Sequence, residues 1–89
     1  MEQTLYQRPR EKLRGIGPSE LSIAELFQVI LGAGSPKISG AKIARLVEEL
    51  YVKDAITYQA LISIGGIGEA KACQILAALE LAMRAFRHE

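Results

Sequence analysis

Apolar residues recur along most of the chain with the i, i+3, i+4, i+7 spacing that places them on one face of an α-helix. The segments with this spacing are 23–31, 43–51, 58–62 and 72–86. A shorter helix is expected over 8–13, with Pro9 in its first turn and with Gly15 and Gly17 as its stop. No segment shows the alternation typical of a strand, so the pattern predicts an all-α fold of about five helices.

Polar residues mark the expected ends of these helices. Ser22 followed by Glu25 matches a capping box at the start of the second helix, and Ser39 is a candidate N-cap for the third. Gly32 supplies the stop between them.

A faint internal repeat relates the third helix to the last. Five residues recur with a similar type 29 positions later: Ala41, Lys42, Ala44, Val47 and Leu50 as Ala70, Lys71, Cys73, Leu76 and Leu79. Each of the two helices follows a shorter helix and a glycine-containing loop. The repeat predicts two helix-loop-helix units that share one core around an approximate twofold axis.

Composition limits the size and the setting of the fold. The chain of 89 residues, 49% apolar and 24% charged, fits one domain over 8–89 with a loose arm over 1–7. A lone cysteine, Cys73, cannot form an internal disulfide, and no leader or membrane-spanning apolar run is present, which predicts a cytoplasmic protein without a membrane partner. The net charge of only +1 means that any binding to nucleic acid must rely on a local cluster.

The segment 61–72 contains the most informative chemistry. Gly66 and Gly68 separate two helical patterns, and Lys71 lies just inside the second helix. Glycines at such a turn let an anion approach the backbone, and the first amides of the following helix present unpaired N–H groups. A DNA phosphate suits this surface because its recognition carries no sequence information. A plain tight turn between packed helices is the alternative.

The same segment resembles a helix-hairpin-helix motif, which is usually written hydrophobic-Pro-Gly-hydrophobic-Gly. Residues 64–68, Ile-Gly-Gly-Ile-Gly, match it except at Gly65, where proline is common. The resemblance implies that Ile67 turns inward and locks the two helices together. It also implies a set of phosphate contacts made by the amides of Gly66, Gly68, Glu69 and Ala70, with added charge from Lys71. The Glu69 carboxylate would lie near an incoming phosphate, which lowers the expected affinity.

A wider resemblance covers nearly the whole chain. Four segments follow, in order, the N-terminal domain of RadC-like proteins: 8–13, 21–26, 30–34 and 66–72. RadC-like proteins are named for DNA repair, and they continue into a metalloprotease-like domain with a His-x-His and Asp zinc site. The chain contains a single histidine, His88, and no catalytic constellation. We therefore expect no enzyme activity, no metal and no cofactor in these 89 residues.

Further basic residues could extend a DNA footprint. Lys37 and Lys42, near the first loop, are candidates for a second phosphate contact if the repeat reflects real symmetry. A basic run occupies alternate positions of the first helix: Arg8, Arg10, Lys12 and Arg14. Alternate positions spread around a helix, which favours an ordinary solvated face unless this segment folds back beside the hairpin.

Two functions remain open on these grounds. The first is a sequence-independent DNA-backbone-binding module. The second is a helical interaction domain that docks on a partner protein, or on the metalloprotease-like domain, through an exposed apolar patch. Met83 and Phe86, at the far end of the last stripe, would belong to such a patch.

Overall fold

A computed structural model describes residues 8–34 and 36–87, and the predicted arm over 1–7 and His88 lie outside the described residues. The described part contains five α-helices: α1 Pro9–Ile16, α2 Ile23–Leu31, α3 Gly40–Val52, α4 Tyr58–Ile62 and α5 Glu69–Arg87. A 3-10 turn, Pro18–Glu20, links α1 to α2. These residues form no strand, only an isolated bridge between Gly34 and Ser39, so the all-α prediction is confirmed.

Three of the helices begin at a hydroxyl side chain. Ser22 Oγ accepts a hydrogen bond from the Glu25 amide at 3.1 Å, and Glu25 Oε1 accepts one from the Ser22 amide at 2.9 Å. Ser39 and Thr57 cap α3 and α4 with single side-chain bonds of 3.2 and 3.1 Å. Each cap satisfies an N–H that the helix itself leaves unpaired.

The first helix is longer than the sequence predicts. Gly15 and Gly17 were expected to stop it, but the helix includes Gly15 and reaches Ile16, so only the second of the two glycines ends it. An interior glycine costs a helix only about 1 kcal/mol relative to alanine, which does not end it. The helix ends at Gly17, whose φ of 101° is inaccessible to a helical residue and whose N–H donates to the Leu13 carbonyl at 2.9 Å.

The core is built by the last four helices and by the turn before α5. Its buried members are Phe27, Leu31, Ile43, Ala44, Val47, Leu61, Ile67, Ala72 and Ile75. Four of the larger side chains, Ile43, Val47, Leu61 and Ile75, are almost completely inaccessible, and truncating a large buried aliphatic side chain to alanine typically costs about 2–5 kcal/mol. None of the residues of α1 is buried, so this helix lies on the core rather than in it.

Burial along α5 stops halfway. Ala72 and Ile75 are fully buried, whereas Met83 is 52% and Phe86 87% exposed. The same apolar stripe therefore serves the core in the first half of the helix and faces solvent in the second. Cys73 is exposed because it lies off this stripe.

Glu25, which belongs to the capping box of α2, also forms an ion pair with α1. Lys12 Nζ lies 3.2 Å from Glu25 Oε1. The pKa of the Glu25 carboxyl is lowered, chiefly by the hydrogen bond from the Ser22 amide and further by Lys12, while partial burial acts in the opposite direction.

Replacing Glu25 by glutamine should make the stability of the protein less sensitive to acid. A carboxyl whose pKa is lower in the folded state stabilises the fold above its ordinary pKa, near 4.5, and loses this contribution as the pH falls through the folded value. Urea unfolding should therefore show a larger deficit of Glu25→Gln relative to the natural chain at pH 7 than at pH 3. Glu20→Gln, at an exposed position, is the control, and an equal deficit at both pH values would contradict the assignment.

Candidate functional site

The connection between α4 and α5 is a tight turn closed by backbone hydrogen bonds. The Ile64 amide donates to the Leu61 carbonyl at 3.0 Å, and the Ile67 amide donates to the Ile64 carbonyl at 3.1 Å. Gly66, third of the four residues in this second turn, has a φ of 96°. A type II turn requires positive φ at this position, which explains the glycine there.

Gly66 also lies against the rest of the fold. A Cβ atom added to it would stand 2.5 Å from Ile43 Cδ1 and 3.1 Å from Ile38 Cγ2. Ile43 belongs to α3, and Ile38 belongs to the loop that precedes α3. Because Gly66 has no side chain, the loop between α2 and α3 (the first loop) can lie in direct contact with the turn between α4 and α5 (the glycine hairpin).

The helix that follows the turn begins without a side-chain cap. The Gly68 carbonyl accepts the Ala72 amide at 3.0 Å, which makes Gly68 the N-cap residue of α5. The amides of Glu69, Ala70 and Lys71 then have no intrahelical partner, and no hydrogen bond is formed by them within the described part of the chain. A glycine N-cap cannot supply the hydroxyl that α2, α3 and α4 use.

The residues predicted to contact phosphate lie together at this end of α5. Gly66, Gly68, Glu69 and Ala70 are exposed, and Lys71 is half-buried. Ile67 is only 5% exposed and belongs to the core cluster. The geometry assembles one surface of bare backbone beside one lysine; that this surface binds phosphate stays a prediction.

The loop before α3 corresponds in position to the hairpin before α5 when the sequence is aligned on the first residues of these two helices. α3 begins at Gly40 and α5 at Glu69, which are 29 positions apart, as in the repeat. With this spacing Ile38 corresponds to Ile67, and both pack against the core. The role of Ile38 was missed from the sequence, although an apolar residue just before an N-cap serine is a recognisable signal for packing at a helix entry.

The two lysines proposed as a second contact flank the residues that touch Gly66. Lys37 precedes Ile38 and Lys42 precedes Ile43, and both lysines are exposed. Neither forms an ion pair with another described residue. The fold thus places both lysines next to residues that pack on the glycine hairpin.

Neither a cluster of potential metal ligands nor a membrane-spanning helix occurs among the described residues. In the ranges 8–34 and 36–87, no three His, Cys, Asp or Glu side chains form a group that could hold a metal ion. None of the helices in these ranges combines the length and the apolarity needed to cross a bilayer.

These features define a class of small all-α proteins in which two helix pairs meet at their loops. A family model described as UPF0758 N-terminal matches residues 2–73. The chain is 43% identical over 81 residues to a UPF0758 protein of Carboxydothermus hydrogenoformans and 44% identical over 82 residues to one of Geobacillus thermodenitrificans. The chain therefore belongs to the UPF0758 family, the family of the RadC-like proteins.

The relatives are considerably longer than the chain. The two matches cover 86% of the chain and 36% of each relative, and a UPF0758 protein of Gloeothece citriformis, 39% identical over 94 residues, is covered to 39%. No solved structure matches the chain.

Replacing Gly66 by alanine should destabilise the protein by about 2–4 kcal/mol. A left-handed backbone costs an L-residue about 1–2 kcal/mol, and the added Cβ would crowd Ile43 Cδ1. Gly65→Ala is the matched control, because a Cβ at Gly65 meets no atom within 4 Å and φ is not positive there. Urea unfolding of both variants tests the prediction, and equal stability of the two would contradict it.

Proposed function

We propose that the chain is a sequence-independent DNA-backbone-binding module. The observation that carries the proposal is the uncapped start of α5, where the amides of Glu69, Ala70 and Lys71 are unpartnered next to the exposed Gly66 turn. The start of a helix carries roughly half a positive charge, and its free N–H groups can hydrogen-bond an anion. A phosphodiester fits this surface, and its recognition needs no base contact.

The surrounding charges support the proposal and also limit the affinity. Lys71, Lys37 and Lys42 add positive charge on the two sides of the Gly66 contact, whereas the exposed Glu69 carboxylate opposes an incoming phosphate. Non-specific DNA binding has dissociation constants of about 10⁻⁴ to 10⁻⁶ M at physiological salt, and so small a footprint belongs at the weak end of that range. Replacing Glu69 by glutamine should tighten binding.

In the longer relatives, this module would bring DNA to the remainder of the polypeptide. The resemblance to RadC-like proteins supports a role in DNA repair and a cytoplasmic location. Under this proposal the segment performs no reaction itself, and any chemistry belongs to the metalloprotease-like domain that the family resemblance implies.

Replacing Gly68 by aspartate should weaken DNA binding while leaving the fold intact. A Cβ at Gly68 meets no atom within 4 Å. An aspartate N-cap is a few tenths of a kcal/mol more stable than glycine, so the unfolding midpoint should stay or rise. Its carboxylate would occupy the free amides and repel a phosphate by about 1 kcal/mol at 4 Å even in water, so affinity should fall roughly fivefold or more.

Fluorescence anisotropy with a labelled duplex at low salt measures this effect. Thr57→Asp is the matched control, because it adds the same charge at the N-cap of α4, at the opposite end of that helix from the hairpin. Unchanged affinity of Gly68→Asp, or an equal loss in Thr57→Asp, would exclude the hairpin as the binding surface.

A second candidate function rests on an apolar groove between the end of α3 and the second half of α5. The groove has a volume of about 690 Å³. Its apolar lining consists of Tyr51, Val52, Ile56, Leu76, Leu79, Ala82, Met83 and Phe86. Val52 is 70% and Phe86 87% exposed, which is unusual for large apolar side chains that share one surface. The relatives contain more than half of their length outside the matched region, and this remainder is the proposed occupant.

A polar residue in the groove should weaken this docking. The probe is the unmatched portion of the Geobacillus thermodenitrificans relative, titrated calorimetrically into the chain. Phe86→Ser should reduce the affinity about tenfold or more, since a buried Phe side chain contributes about 1.5–3 kcal/mol. Ile16→Ser, at an apolar residue that is 45% exposed outside the groove, is the control, and equal affinity of both variants would rule out the groove.

A further inference from the structure

The basic run of α1 divides into two sets that face different partners. Lys12 is directed toward α2, where it pairs with Glu25 at 3.2 Å. Arg10 and Arg14 are four residues apart and thus share one face of the helix. With Arg8 they line a cleft of about 590 Å³ between α1 and the end of α2. The sequence suggested an even spread of charge around α1; the structure shows three of the four cations gathered on one cleft.

The three arginines of the cleft are not neutralised within the described part of the chain. None forms an ion pair there, whereas Arg84, like Lys12, does. Among the described residues, Glu11 is the one carboxylate that lines the cleft, and its Oε1 accepts the Arg8 backbone amide at 3.4 Å. The remaining lining is neutral: Pro9, Gln28, Val29, Gly32 and Ala33.

A simpler role for these arginines would be to neutralise the carbonyl end of α2. A helix C-terminus carries roughly half a negative charge, and a cation near it is modestly stabilising. Within the described ranges, the cleft has three arginines, one carboxylate and this half negative charge, which leaves an excess of about 1.5 positive charges. Stabilisation of α2 therefore accounts for one arginine and leaves the others unexplained.

The cleft adjoins the loop that packs on the glycine hairpin. Gly32 and Ala33 line the cleft, and the Ala33 carbonyl accepts the Gly40 amide at 3.0 Å, which fixes the loop to the start of α3. From the other side of the same loop, Ile38 reaches Gly66. The loop between α2 and α3 thus begins at the arginine cleft and contacts the hairpin near its end.

We propose that the cleft lined by Arg8, Arg10, Arg14 and the Gly32–Ala33 backbone is a second site for a DNA backbone phosphate, adjacent to the hairpin. Guanidinium groups suit this ligand because they bind phosphate through paired N–H donors. The inference rests on the proposed DNA-binding function and adds a contact on α1 to those of the hairpin and of the neighbouring Lys37 and Lys42. A duplex would lie across the first loop, with the hairpin holding one stretch of backbone and the cleft another.

The double variant Arg10→Gln plus Arg14→Gln tests the second site in the 89-residue chain. Both side chains are exposed and form no ion pair with another described residue, so the unfolding midpoint should fall only slightly, by the contribution of one arginine to the end of α2. Each lost phosphate contact lowers the salt dependence of binding by about 0.9 in log K against log salt, so the slope should fall by about 1.8 between roughly 50 and 200 mM salt. Affinity for a short duplex should drop roughly tenfold at the low end of that range.

Arg84→Gln plus Arg87→Gln is the matched control, because it removes the same charge at the far end of α5. A lower slope in the cleft variant alone, with amide shifts at Gly32 and Ala33 when duplex is added, supports the proposal. A cleft variant that binds like the natural chain while Gly68→Asp binds weakly overturns the cleft and leaves the hairpin standing. The reverse result supports the cleft and excludes the hairpin, and a natural chain that binds no duplex overturns both.

Discussion

The close approach between Gly66 and the pair Ile38 and Ile43 is the contact on which the arrangement of the two helix pairs depends. Only a glycine lets the turn adopt positive φ and lets Ile43 Cδ1 lie where a side chain would otherwise be. Because Ile43 is also fully buried, the same atom belongs to the core and to the seat of the hairpin. Core packing and the shape of the exposed turn are therefore one constraint rather than two.

The same constraint is consistent with the correspondence of the two helix starts along the sequence, where Gly40 and Glu69 are 29 positions apart. Ile38 and Ile67 each enter the core just before the N-cap of a long helix, so both helices are fixed at their first turn. The symmetry weakens further along, since Ala44 is fully buried and its counterpart Cys73 is exposed. The sequence repeat therefore reflects the similar way in which the two helices begin at the core, and not an equivalence along their whole length.

Local signals made much of the fold predictable. The reciprocal bonds of Ser22 and Glu25 connect residues three apart, so their pattern is visible in the sequence, and the same holds for the Ser39 cap. Gly15 was a misleading stop signal because one interior glycine costs too little free energy to end a helix. Contacts across the fold were harder to predict. The spacing of Met83 and Phe86 is identical whether α5 faces a core or solvent, so their exposure was only one of two hypotheses from the sequence. No residue near Gly66 in the sequence identifies Ile43 as its neighbour. The gathering of Arg8, Arg10 and Arg14 likewise follows from the placement of α1 against α2.

The continuity of α5 joins two surfaces that differ in chemistry. Its first turn carries the bare amides, and its last turns carry Met83 and Phe86. With a rise of 1.5 Å per residue, the distance from Glu69 to Phe86 is about 25 Å. An α-helix resists both stretching and twisting. α5 therefore fixes the distance and the rotation between a molecule bound at its apolar end and one bound at its free amides. Inserting one residue in its exposed middle would turn one surface about 100° relative to the other and lengthen the helix by only about 1.5 Å.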